Sequence, residues 1–219
     1  MTDIRTLVYN VCSSKRGVKP LIEPAHVIKA LLLLYEREPM GRTLLSKFLN
    51  LGPASVRTLI RRLKEYDLVR VDNVGGCLLT EKGREIARAI LGIAPVIRNV
   101  SDAINDELKL AYYAWASLIK QGVKIIERLG VVNVRDRIIL YGAKAALIVF
   151  INEKYAYIPP DTSLNELRYR SLRELKMLMQ AYTGDAVIVS FSDNMNIAEK
   201  ALLNTIADLF LDYLANDKA

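Results

Sequence analysis

Apolar residues recur at helical spacing three times between residues 24 and 66, and this pattern restricts the fold more than any other feature of the chain. In the first stretch, Val27, Leu31 and Tyr35 fall on one side of a helix. The pattern predicts helices over residues 24–37, 41–48 and 53–66. Gly52 and Pro53 separate the last two and suit a tight turn, because glycine can adopt φ > 0 and proline favours the first turn of a helix. The sequence therefore predicts a helix-turn-helix.

Two short extended stretches follow, at residues 68–71 and 77–79, on either side of a glycine-rich turn at 72–76. Thr80 then suits the N-cap of a further helix, and Glu81 in its first turn favours the helix dipole. The order helix, helix, helix, strand, strand, helix is typical of a winged helix-turn-helix, with the strand pair as the wing. We read Cys77 as packing of that wing.

The helix over 53–66 has an apolar side, and its opposite side predicts the residues that contact DNA. Small and hydroxyl residues lie at its N-terminal end, and arginines follow, as a helix in the major groove requires. Two further arginines, one on the preceding helix and one on the wing, are expected to flank it. The predicted DNA-binding residues are Arg42, Ala54, Ser55, Arg57, Thr58, Arg61, Arg62 and Arg70.

The formal charge of +7 is unevenly divided. Residues 1–98 hold 17 Lys and Arg against 9 Asp and Glu, a net of +8, while residues 99–219 hold 14 against 15, a net of −1. Net charge indicates partners rather than fold, so the first half is the candidate for a polyanion. Double-stranded DNA is the partner we expect. Two alternatives remain open, a docking surface for another protein and binding of RNA, and the acidic Asp72 at the wing tip argues against strong contact there.

Several motifs resemble an archaeal family of inferred winged-helix transcription regulators that carry a C-terminal α/β domain of unknown function. In the first half they are Gly41-Arg42, Leu51-Gly52, Val56-Arg57-Thr58-Leu59-Ile60, Arg62-Leu63 and Leu79-Thr80-x-x-Gly83; in the second they are Arg135-Asp136, Gly142-Ala143, the segment 185–190 and Ala198-Glu199. The resemblance spans most of the chain and implies regulation of transcription. Asp67 stands where the broader class often has glycine.

We place the division of the chain near residue 98, with a DNA-binding domain over 1–98, a linker over 99–108 and a second domain over 109–219. In the second domain the pattern predicts strands over 110–119, 145–151, 155–158 and 186–191 and helices over 134–141, 164–182 and 197–214. This order is close to the ferredoxin-like βαββαβ unit, an α/β sandwich. The predicted fold class is α+β, and by analogy the second domain dimerises the protein and senses a small molecule.

The second half offers four candidate ligand-binding residues. Arg135 and Asp136 lie at an expected helix start, where arginine can pair with an anion and aspartate can cap the first turn. Ser192 and Asn194 lie where a strand leads into a helix, although a plain N-cap explains them better than an anion site. Five aromatic residues could also line a pocket or fill core: Tyr112, Tyr113, Trp115, Tyr155 and Tyr157.

No catalytic residues, cofactor or metal site are expected. The chain has one histidine and two isolated cysteines, and it lacks the common nucleotide-binding and nucleophile motifs. An enzyme, such as a kinase or transferase fused to a regulator domain, is the weakest alternative because glycine is sparse beyond residue 98. The N-terminus does not read as a signal peptide, and no apolar run reaches the roughly 18 residues of a membrane helix. We therefore expect a cytoplasmic, non-membrane protein.

Overall fold

A computed structural model describes residues 3–13, 21–72 and 76–211. The chain divides into two compact units, which are described separately. The first unit runs to Ile90 and takes up the chain again at Phe210, and the second comprises Leu91–Leu209.

Four helices build most of the first unit: α1, Ile4–Cys12; α2, Pro24–Arg37; α3, Arg42–Leu49; and α4, Pro53–Glu65. Helix α1 is additional to the predicted set. Asp3 caps it by accepting hydrogen bonds from the backbone N–H groups of Arg5 and Thr6. The hydroxyl of Thr6 also donates to this carboxylate and is the main reason that its pKa is lowered.

The turn between α3 and α4 differs from the expected one. The left-handed residue is Asn50, at φ 50°, which ends α3. Gly52 instead has extended backbone, at φ −61°, and serves as the N-cap residue of α4, while Pro53 opens the helix as predicted. Asparagine tolerates the left-handed region better than most residues, so Gly52 is not needed for that conformation.

A two-stranded antiparallel sheet follows α4. Strand β1, Val69–Asp72, pairs with β2, Gly76–Leu79, and helix α5, Glu81–Ile93, comes next. The predicted tip lies mostly at residues 73–75, which are outside the described residues. Asp67, just before β1, has φ 57°. A residue with positive φ is needed at this turn, which accounts for the glycine that the broader class often has there.

Cys77 lies on β2 and is fully buried. Burial raises the pKa of its thiol, and the nearby positive charge of Arg42 offsets this only in part. A thiol of this kind is protonated and shielded. We expect 5,5′-dithiobis(2-nitrobenzoate) at pH 8 to react with Cys77 in the native protein more than about 100-fold slower than in denaturant, since reaction requires local opening. Fast reaction in the native state would contradict the buried placement.

The second unit is built on one six-stranded antiparallel sheet. Its strands are β3, Ile97–Asn99; β4, Tyr113–Ile119; β5, Ala145–Ile151; β6, Ala156–Ile158; β7, Asp161–Asn165; and β8, Ala186–Ser192. Its helices are α6, Gly122–Leu129; α7, Val131–Leu140; α8, Arg170–Leu178; and α9, Met195–Thr205, which continues as a π-helical turn, Ile206–Phe210. The sheet order is β3-β4-β8-β5-β6-β7.

The fold class is mixed α+β, as predicted, but the sheet is not ferredoxin-like. In a ferredoxin-like sheet the second strand of the hairpin lies between the two strands of the first βαβ unit. Here the hairpin strand β6 lies outside, and β8 lies between β4 and β5. The order of elements along the chain does not determine which strand occupies the centre, so the sequence pattern could not separate these arrangements.

Helices cover both faces of the six-stranded sheet. On one face, Leu172 and Leu175 of α8 and Met179 pack in a buried cluster with alternating strand residues such as Val187 and Val189. Helices α7 and α9 pack on strands β4, β5 and β8. Because β8 is covered on both faces, all seven of its residues are buried. The sandwich architecture of the second unit therefore matches the prediction.

The predicted linker over 99–108 is wrong. Asn99 pairs with Trp115 in the sheet, and Val100 and Ile104 are buried in the core of the second unit. The division between the units falls instead between Ile90 and Leu91. The polar composition of this segment reflects turns such as that of Asp106, whose carboxylate accepts from the backbone of Leu108.

The predicted helix over 164–182 begins later than expected. Residues 161–165 form the edge strand β7, and α8 starts at Arg170. Asn165 makes the turn between them by accepting a hydrogen bond at 2.9 Å from the backbone N–H of Leu167. Its amide also donates to the carbonyl of Thr162 at 2.7 Å. The predicted helix included this turn because apolar residues on both sides of it continue at helical spacing.

Candidate nucleic-acid interface

Helix α4 has one buried and one exposed face. Its buried face is formed by Val56, Leu59, Ile60 and Leu63. Arg57, Arg61 and Lys64 are all exposed, and their spacing of four and three residues places them in a single row along the helix. The exposed face of α4 thus carries a continuous row of positive charge.

Among the residues that the structure describes, the cations of this row have no acidic partners. Within the described ranges 3–13, 21–72 and 76–211, Arg57, Arg61 and Lys64 form no ion pair, whereas Arg84 pairs with Glu38 and Arg88 pairs with Glu81. Unpaired cations on one face create a positive surface potential that attracts polyanions. Sequence reasoning missed Lys64, although its spacing of seven residues from Arg57 was a sufficient signal.

The N-terminal parts of α3 and α4 flank an open depression of about 320 Å³. Its walls combine two cations with hydroxyl groups and a proline, namely Arg42, Thr43, Ser46, Pro53 and Arg57. Both helices begin at a glycine N-cap without a side-chain cap, so the backbone N–H groups of their first turns are not used by capping side chains. Arginines and free helix N-termini are the groups that bind phosphate oxygens.

The other predicted DNA-binding residues, apart from Arg62, lie at the surface of the first unit. Ala54 is exposed and Ser55 half-buried at the start of α4, and Thr58 donates its hydroxyl to the carbonyl of Ala54 at 3.1 Å. Arg70 lies exposed on β1. These four residues are on the surface of the first unit, together with Arg42, Arg57 and Arg61.

Arg62 is the exception and does not belong to the exposed face. Its side chain is buried, and its guanidinium donates to the carbonyls of Val11 and Ser13, both at 2.7 Å. These bonds tie α4 to the C-terminal end of α1. The prediction that Arg62 contacts DNA is wrong, because α1, whose C-terminal end binds its guanidinium, was not predicted from the sequence.

Arg62→Ala should lower the free energy of unfolding by about 1–3 kcal/mol, since the buried carbonyl of Val11 and the part-buried carbonyl of Ser13 both lose their donor. Urea unfolding followed by circular dichroism measures this change. The exposed Arg61→Ala is the matched control and should change stability by less than about 0.5 kcal/mol. Equal stability of the two variants would contradict a structural role for Arg62.

The four candidate ligand residues of the second unit do not form one site. Arg135 and Asp136 are exposed inside α7, which begins at Val131, so Asp136 is not its cap; the two side chains pair with each other at 3.6 Å. Ser192 is buried and accepts from the backbone N–H of Asn194. Asn194 caps α9 by accepting from Asn196 and Ile197, which agrees with the N-cap interpretation.

The five strand aromatics also form separate groups. Tyr112 and Tyr113 make an edge-to-face pair with centroids 4.7 Å apart, and Tyr155 and Tyr157 make another at 6.4 Å. Trp115 belongs to neither pair. Burial is the main cause that raises the pKa of Tyr157. These five residues therefore do not line one common aromatic pocket.

The described part of the chain contains neither a cluster of metal-binding side chains nor a candidate membrane helix. No group of three or more His, Cys, Asp or Glu side chains there is placed to hold a metal ion. Among the described helices, none has the length and apolar character that a membrane crossing demands.

Comparison with known proteins gives matches for both units. Residues 110–209 match the model of a domain of unknown function, DUF4443, and residues 25–85 match the model of the PH0730-like N-terminal domain. A solved structure, hypothetical protein PH0730 from Pyrococcus horikoshii OT3, is similar at 29% identity with a TM-score of 0.63, covering 84% of this chain and 91% of that chain. No curated protein matches. The chain thus resembles an archaeal protein over both of its units.

Proposed function

We propose that this chain is a DNA-binding transcription regulator of the winged helix-turn-helix class, with α4 in the major groove. The observation that carries the proposal is the exposed row of Arg57, Arg61 and Lys64, which has no acidic partner in the described part of the chain. A helix of this kind fits the width of the major groove, and its arginines can bind guanine bidentately or neutralise phosphates.

The surroundings of α4 support the same geometry. Ala54 and Thr58 leave the first turns of the helix small enough to approach base edges closely. The depression beside Arg42 fits a backbone phosphate, which would fix the register of the helix on the duplex. In this proposal strands β1 and β2 serve as the wing, and Arg70 on β1 contacts the DNA backbone.

A single recognition helix reads few base pairs, so we propose that the regulator works as a homodimer in the cytoplasm. Two linked helices gain affinity through effective concentration and double the sequence that is read. The second unit would carry the dimer contact and respond to a small-molecule effector by changing the spacing of the two helices.

Selection of the full-length protein against random double-stranded DNA, followed by sequencing, tests this function. We expect a palindromic site with half-sites about 10 base pairs apart, or a multiple of that distance. Arg57→Ala/Arg61→Ala should enrich no site. Enrichment of the same site by parent and variant, or binding of RNA in preference to duplex DNA, would overturn the proposal.

A further inference from the structure

Large apolar side chains of the second unit are exposed close together in sequence around α8. Leu167 is 78% exposed, Met177 64% and Tyr182 71%. Isolated exposed apolar residues are common on protein surfaces, whereas exposed apolar residues that line a concavity indicate a candidate binding site. Met177 and Tyr182 both line such a concavity.

The concavity is an open depression of about 470 Å³, within the range of small-molecule sites. It combines apolar, amide, cationic and carboxylate groups. Its lining residues are Glu166, Arg173, Lys176, Met177, Gln180, Ala181 and Tyr182. All of them lie on α8 or in the segments directly before and after it.

Tyr182 is held in place despite its exposure. Its backbone N–H donates to Asp185 at 3.1 Å, and Asp185 is only 2% exposed. Lys120 pairs with the same carboxylate at 2.9 Å, and its ammonium lies 5.4 Å from the centroid of the Tyr182 ring. The backbone of Tyr182 is therefore fixed, and its exposed ring offers an aromatic surface on which a ligand can stack.

The depression carries an excess of positive charge. Lys176 pairs with Glu166 at 3.6 Å, and this carboxylate also accepts from the backbone N–H of Ala156, so its charge is already compensated. Arg173 is exposed and has no ion pair among the residues that the structure describes. One guanidinium is thus available for an acidic group.

We propose that this depression binds a planar aromatic anion whose ring stacks on Tyr182 and whose acidic group pairs with Arg173. A flat ring fits the aromatic wall and the adjacent Met177 thioether, and a carboxylate, sulfonate or phosphate matches the fork of the arginine. This site is independent of the DNA-binding proposal, because it rests on contacts within the second unit alone.

The probe is 8-anilinonaphthalene-1-sulfonate, a sulfonate with a planar naphthalene ring, and its binding to the full-length protein is followed by fluorescence titration. Tyr182→Ala removes the wall and Arg173→Glu reverses the charge. Tyr182→Phe keeps the ring. The matched controls are Tyr112→Ala, which removes another tyrosine that is 67% exposed, and Arg135→Glu, which reverses an exposed arginine on α7. Circular dichroism melting establishes that each variant is folded.

We expect saturable binding of about one probe per chain, weakened at least about tenfold by Tyr182→Ala and by Arg173→Glu, a loss comparable to one stacking or charge-assisted contact. Tyr182→Phe, Tyr112→Ala and Arg135→Glu should bind like the parent. If Tyr182→Ala fails to fold, Arg173→Glu and Tyr182→Phe still decide. Absence of saturable binding by the parent, or unchanged affinity in Arg173→Glu, would overturn the proposal.

Discussion

Gly83→Ala is expected to destabilise the first unit by about 3 kcal/mol or more, a large part of the usual stability of a small domain. A Cβ atom at this position would lie 2.1 Å from the carbonyl oxygen of Leu68. That oxygen belongs to the backbone and accepts a hydrogen bond from the N–H of Thr80. This oxygen cannot move aside without losing the hydrogen bond that joins Leu68, before β1, to Thr80, before α5. The added methyl group therefore overpacks this part of the unit.

Gly92→Ala on the same helix is the control. Nothing lies within 4 Å of its Cβ position, so alanine there should leave stability unchanged or raise it by about 0.5–1 kcal/mol through helix propensity. Urea unfolding of both variants, followed by circular dichroism, gives the comparison. Similar unfolding midpoints for the two variants would contradict the close packing of Gly83 against the Leu68 carbonyl oxygen.

Arg57→Ala/Arg61→Ala is expected to weaken binding to a selected DNA site by about 2–6 kcal/mol, since a bidentate arginine contact is worth about 1–3 kcal/mol. Among the described residues, neither side chain forms a hydrogen bond or an ion pair, so the fold should be retained. The measurement is fluorescence anisotropy with the parent and the double variant at the same salt concentration.

Arg128→Ala/Arg135→Ala removes the same amount of charge from exposed positions of the second unit. This control separates a contact at α4 from a general loss of positive charge. If both double variants lose the same amount of DNA affinity, the effect comes from net charge alone. If the α4 variant binds DNA as tightly as the parent, α4 does not contact the DNA.

Much of the first unit follows from its sequence because its signals are local. The apolar stripe over 24–37 coincides with α2, and Pro53 marks the first residue of α4. The sequence predicts the backbone conformation of the turns less well. Positive φ occurs at Asn50 rather than at Gly52, and also at Asp67, which is not a glycine. Helix α1 was missed, and with it the partner that makes Arg62 a structural residue.

The second unit was harder to predict because its decisive features are long-range. Strand 145–151 was predicted from its apolar run, yet the position of β8 between β4 and β5 depends on packing that no periodicity records. The depression beside Tyr182 likewise depends on Asp185 and Lys120, which lie 65 residues apart in sequence. Neither residue carried a signal that points to such a site.

Salt dependence of DNA binding tests the central claim most directly. Full-length protein is titrated into labelled double-stranded DNA by anisotropy at several salt concentrations. If about five cations of the α3, α4 and β1 surface displace counterions, the logarithm of the binding constant should fall with the logarithm of salt concentration with a slope of about −4.5 for each bound chain. No binding at low salt, or a slope near zero, would contradict the account.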